Sequence, residues 1–168
     1  MTADEFAIPE TPVPGRGRGL FVEFASRSGM TGTDEACPLT FGGDPTPVLF
    51  FISWAFSIRF GGMHELAQAA LHMQRKHKVD LRPLLTYADR DVEDEDDRHA
   101  LEHAWQDAAP LAAACRAVAT ALAADDPPLR ALVEGHDPPL AARLLDLAAM
   151  CDWATARTAQ VRLSFLLD

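Results

Sequence analysis

Apolar positions recur in alternating steps of four and three residues along three stretches of the chain, the spacing that lines one face of a helix. The longest stretch runs from Asp137 to Asp168, where Leu140, Leu144, Leu147, Cys151, Ala154, Thr158, Val161 and Phe165 form one continuous seam. Asp137 suits an N-cap, and Pro138 and Pro139 fall in the first turn, where a missing N–H costs nothing. This spacing predicts one long helix over 137–168. A second seam, Leu101, Ala104, Ala108, Leu111, Cys115, Val118 and Leu122, predicts another, with Pro110 kinking it from the opposite side.

The third stretch supports two readings. Phe50, Ile52, Trp54, Phe56, Ile58 and Phe60 alternate with mostly small or polar residues, as in a strand bounded by Pro47 and Gly61-Gly62. Leu49, Ile52, Phe56, Phe60, Met63, Ala67, Ala70, Met73 and His77 instead keep helical steps straight across the two glycines, with Thr46 as cap and Pro47 at the first position. The helical reading is favoured, because so long a seam is harder to produce by accident than six alternating residues. Met63 to Lys78 is helical under both.

Between the seams the chain is punctuated. Asp125-Asp126-Pro127-Pro128 and Asp137-Pro138-Pro139 use one device, an aspartate cap followed by prolines, and the first starts a short helix ending near Gly135. Val79 to Tyr87 reads as a connection anchored by Leu84 and Leu85. Met1 to Gly19, with Pro9, Pro12, Pro14 and alternating glycine and arginine, reads as an extended arm. Leu20 to Phe24 and Pro38 to Phe41 are β-prone and could pair as a small hairpin. The expected fold is therefore mainly α: a helical bundle of three long and one or two short helices over 48–168, preceded by an irregular arm over 1–47 that carries the candidate hairpin. The alternative is α+β, if 48–60 is a strand.

Composition narrows the function classes. The 168 residues are 48% hydrophobic and 24% charged, enough for one domain with a sizeable core. A formal net charge of −10 opposes phosphate backbones and anionic lipid, which argues against nucleic acid and membranes as partners. Cys37, Cys115 and Cys151 lack CxxC spacing, and two of them lie on apolar seams, which fits a reducing cytoplasm. No basic-then-apolar leader opens the chain, and the apolar run 48–60 is too short to span a bilayer and contains Arg59. A soluble cytoplasmic protein is expected.

The most chemical pattern is His99-Ala100-Leu101-Glu102-His103, whose letters resemble the inverted zinc-protease motif HxxEH. Two histidines four apart on a helix can share an ion, and Glu102 could act as base toward a bound water. Glu95 is a further candidate ligand. Such enzymes take a third ligand from a glutamate well downstream, and only Glu134 follows His103. His99 and His103 also point away from the Leu101 to Leu122 seam, toward solvent. The acidic run Asp89 to Asp97 fails as a calcium loop, because Asp94 stands where the turn glycine belongs and Ala100 at the twelfth position. It suits instead the first turns of a helix, or a docking surface for a basic partner. His64, His72, His77 and His136 share no spacing with a carboxylate that would single them out, and surface or boundary placement is expected for them.

These readings favour a non-enzymatic helical protein acting through protein–protein interaction or self-association, in an accessory or regulatory role and without a cofactor. Trp153, Leu163 and Leu167 lie off the main seam of the final helix and Trp105 flanks the preceding one; second-layer core is the slightly favoured reading, and in the other Trp105 and Trp153 are the candidate anchors of a homodimer. The rival function is a helical protein binding zinc or another divalent metal, or a small ligand, through His99, His103 and Glu95, with Glu102 as the catalytic candidate of a metal-dependent hydrolase.

Overall fold

A computed structural model describes residues 19–26, 37–61, 63–136 and 139–166. Six α-helices and four short strands make up these residues. The order is β1 (Gly19–Ser26), α1 (Thr46–Phe56), a 3-10 turn (Ser57–Phe60), α2 (Glu65–Lys76), β2 (Tyr87–Asp89), α3 (Glu95–Glu102), β3 (Trp105–Asp107), α4 (Ala108–Ala123), α5 (Pro127–Val133), α6 (Pro139–Ala156) and β4 (Ala159–Leu166). The content is mainly helical with a small mixed sheet.

The sheet is assembled on β4. β1 pairs with it antiparallel from Gly19↔Leu166 to Ser26↔Ala159. Along its other edge, β2 runs parallel at Leu163 to Phe165 and β3 antiparallel at Gln160 to Arg162. Val161 and Leu163 are fully buried and join Leu20 and Phe24 of β1 in the core cluster with the helices. Partly buried polar side chains tie the strands together: Glu23 Oε1 accepts from Arg162 Nε at 2.9 Å and pairs with Arg90 Nη1 at 3.1 Å, while the Arg162 guanidinium lies over the Trp105 ring.

Four expectations from the apolar spacing are corrected here. The helix drawn over 137–168 ends at Ala156, where Thr158 takes a left-handed conformation (φ 55°), and 159–166 is a strand. Val161 and Phe165 fit either a helical or an alternating register, and Leu163 decides between them: off the seam of a helix, it is fully buried on the strand. The seam from Leu101 to Leu122 spans two helices with β3 between them, and Pro110 is the third residue of α4, where it starts a helix in place of kinking one. The seam across 49–77 is also broken. α1 gives way to the 3-10 turn, Gly61 closes that turn at φ 79°, and His64 begins α2 by accepting from Leu66 N–H at Nδ1. Leu20 to Phe24 pairs with the end of the chain, not with Pro38 to Phe41.

The region 48–60 is helical through Phe56, as favoured. The N-cap is Pro45, with Asp44 Oδ1 accepting from Thr46 N–H at 3.0 Å; Thr46 is the first helical residue. Asp137, Pro138 and Leu167, and the arm over 1–18, lie outside the described residues.

α4 and α6 form the most extensive helix pair. Leu111, Cys115 and Val118 of α4, and Leu140, Leu144, Leu147 and Cys151 of α6, are all completely buried. Buried alanines on both helices, among them Ala112, Ala148 and Ala154, permit close backbone approach. Arg116 and Asp152 bridge the pair at its exposed edge. At Gly43 a Cβ would meet the Arg143 guanidinium, the end of a flexible side chain that would have to shift aside; Gly42 N–H donates to Asp146 Oδ2 at 2.9 Å. Among the described residues no single helix is long and apolar enough to cross a membrane.

Two predictions follow from this packing. Leu111→Ala and Leu144→Ala should each cost about 2–5 kcal/mol in denaturant melts, with His99→Ala, on an exposed site, close to neutral. Burial raises the Cys115 thiol well above its ordinary range and the Cys151 thiol to about 12, so only Cys37 should react quickly with a thiol reagent in the native protein. Labelling followed by peptide mass mapping reads this out.

Candidate functional site

α2 presents one face to the core through Leu66, Ala67, Ala69, Ala70 and Met73, which leaves His72 at the margin of that face. The helix stops at His77, because Lys78 turns left-handed (φ 58°) and Val79 N–H folds back to Met73 O at 3.2 Å. His72 and His77 therefore stand side by side, their ring centroids 6.1 Å apart.

They face Asp126. Asp126 is the N-cap of α5, its Oδ1 accepting from Leu129 N–H at 3.2 Å, as expected of an aspartate before two prolines. Its other oxygen, Oδ2, lies 2.8 Å from His72 Nε2 and 2.7 Å from His77 Nε2. Both carboxylate oxygens are thus used, one for capping and one for joining α5 to α2. Asp126 is 3% exposed and, among the described residues, the one ionisable side chain that is buried outright apart from the thiols. A buried carboxylate is costly unless donors satisfy it. Here the hydrogen bond from His77 is the largest cause holding the carboxyl well below the usual carboxylate range, assisted by His72 and the Leu129 N–H against the opposing effect of burial.

Helix dipoles favour the same arrangement. The imidazoles sit at the negative, C-terminal end of α2 and the carboxylate at the positive, N-terminal end of α5. His72, His77 and Asp126 each offer one ligand atom, all within 4.8 Å of one another. Sequence reasoning missed this set because His72 and His77 are five apart, a spacing with no helical face, and Asp126 arrives from another helix. Its one visible signal was the cap motif Asp-Pro-Pro, which located the carboxylate but not its partners.

The sequence candidates lie elsewhere. His99, Glu102 and His103 are exposed, and α3 ends between Glu102 and His103. His103 Nδ1 contacts His99 O at 2.9 Å and the two rings lie 4.0 Å apart, so the pair is gathered at the helix end. Glu95 is in the first turn of α3 and pairs with Arg98 at 3.5 Å. The acidic run does serve that helix: Asp94 caps it by accepting from Asp97 N–H, with Glu95, Asp96 and Asp97 in the first turn. Trp153 is partly buried, edge-on to Phe24 and under Arg157, and Trp105 lies beneath Arg162.

The other histidines form a second group. His64 stacks on Trp54 with ring centroids 4.1 Å apart and an interplanar angle of 4°, and His136 Nε2 bonds Glu65 Oε2 at 2.8 Å. A shallow depression of about 440 Å³ runs along α5, lined by Pro127, Arg130, Ala131, Val133, Glu134 and Gly135. No family model matches this chain, and no curated protein or solved structure matches it either.

Asp126 should be separable into its two roles. Asp126→Asn retains a capping oxygen and gives up the charge, whereas Asp126→Ala gives up both. Thermal melts at neutral pH should rank wild type above Asp126→Asn and Asp126→Asn above Asp126→Ala.

Proposed function

We propose that this chain is a non-enzymatic protein that acts by self-association, its helical bundle presenting α1 as the contact face. The observation that carries this is the composition of α1. Thr46 to Phe56 contains no charged residue, and its inner face, Val48, Leu49, Phe51, Ile52 and Ala55, is completely or almost completely buried. On its outer face Phe50 and Trp54, one helical turn apart, remain 41% and 38% exposed, and Met63 close by in sequence is 78% exposed. The stack on His64 fixes the Trp54 ring, which lowers the entropy lost when the ring is covered.

A second copy of the same face is the partner this surface fits best. The molecule carries a net charge of −10, so most of its surfaces would set carboxylates against carboxylates if two copies met. An uncharged face related to itself by a two-fold axis avoids that repulsion at its centre. Paired α4 and α6 supply the rigid scaffold behind it. Unpaired thiols fit a reducing, cytoplasmic setting, and the net charge argues against nucleic acid and membrane partners. Trp54 and Phe50 thereby take the anchoring role that their greater burial makes less suited to Trp105 and Trp153.

Sedimentation at low and moderate salt tests the proposal. A dimer is expected at micromolar protein, tightening as salt screens the residual repulsion. Trp54→Ala should weaken it by about 2 kcal/mol, roughly 25–30-fold in the dissociation constant, while leaving the fold intact by circular dichroism. A monomer at tens of micromolar under both conditions would overturn self-association.

A further inference from the structure

We propose that His72, His77 and Asp126 form a binding site for a divalent ion of the zinc class. The donor set selects the metal. Two imidazole nitrogens and one carboxylate oxygen suit Zn(II) and its first-row neighbours, whereas calcium and magnesium prefer sites made of oxygen alone. Three protein ligands also leave a coordination position for water.

The ligand atoms already lie within 4.8 Å of one another, so the ion needs side-chain shifts and not a new backbone path. An ion bound at about 2.0–2.2 Å holds tetrahedral ligand atoms about 3.3 Å apart. The two nitrogens now stand 2.8 and 2.7 Å from Asp126 Oδ2, so the carboxylate retreats by roughly half an ångström, within reach of side-chain rotation. Hydrogen bonds to Oδ2 give way to bonds to the ion. The proton on each neutral ring moves from Nε2 to Nδ1, which leaves the Nε2 lone pair free for the metal and the imidazole still neutral. Asp126 Oδ1 stays on Leu129 N–H throughout, so α5 keeps its cap.

Electrostatics and access agree with this. The Asp126 carboxylate offsets part of the ion's charge, and the C-terminal end of α2 adds partial negative charge. A chain of net charge −10 draws cations toward its surface in general. The carboxylate side chain is 2% exposed, but His72 and His77 are 25% and 21% exposed, so an ion enters from the histidine side with the anion beneath it. His99 and His103 are the competing pair, and they lack a third ligand among the described residues. This site is independent of the contact face on α1.

The test uses the full chain purified without a histidine tag and stripped with chelator, titrated with zinc sulfate by calorimetry and with Co(II) by visible absorption. One equivalent of zinc should bind, and Co(II) should give the intense visible bands of a four-coordinate site. His72→Gln and His77→Gln should each weaken binding at least about 100-fold, beyond the usual cost of a change outside the ligand set, and Asp126→Asn should do the same while retaining the cap. If Asp126→Asn fails to fold, the two histidine variants at the exposed side decide alone. The double variant His99→Ala/His103→Ala should bind as wild type does. Absence of saturable binding to wild type would overturn the site, as would zinc retained in His72→Gln and lost in the double variant.

Discussion

Among the described residues every other strand of the sheet is hydrogen-bonded to β4, so the sheet cannot exist until this late element is in place. β1 comes from the opposite end of the sequence, with Gly19 paired to Leu166. Closing so long a loop costs chain entropy before any of its contacts can repay it. Helix pairing offsets this, because α4 and α6 meet across a connection that carries α5 alone, far shorter than the span between β1 and β4, and α6 leads into β4 through the turn at Arg157 and Thr158. On this view the helices are the platform and the sheet is the closure, with Glu23, Arg90 and Arg162 drawing together strands that differ widely in sequence position.

What could be read from the sequence divides along the same line. The buried faces of α2, α4 and α6 were legible, because Met73, Leu111, Cys115, Leu144 and Cys151 lie on local seams that need only one helix to explain them. Helix limits were not. Val161 and Phe165 continue the α6 seam by coincidence of spacing, since four residues is both one helical turn and two strand repeats. β3 was hidden for a related reason: Ala104 and Ala108 flank it at a helical interval, and its three residues are too few to establish alternation. Strand pairing is decided by partners far away, which a periodicity cannot report.

The histidine pair and Asp126 had the same fate as β3, for the same physical reason. A site built within one helix announces itself by spacing, as His99 and His103 do, yet that pair ends in solvent at the close of α3. A site built between helices has no such signature. His72 and His77 come together only because α2 stops where it does, and Asp126 faces them only because it also caps α5. The cap motif Asp-Pro-Pro was thus half of the site seen as punctuation. Its buried charge is tolerated because the Leu129 N–H and the two imidazoles brought from α2 supply its hydrogen bonds.

α2 links the two surfaces that carry the functional proposals. At its first turn His64 caps the helix and supports Trp54; at its last, His72 and His77 meet Asp126. His64 lies eight residues before His72 and thirteen before His77, about 12 and 20 Å along the helix, farther than the screening length at physiological ionic strength. A packed helix transmits displacement better than charge, and this one has Leu66, Ala69, Ala70 and Met73 fixed in the core along its length. The two surfaces are therefore held in place by one buried face of α2 and stand at different points along it.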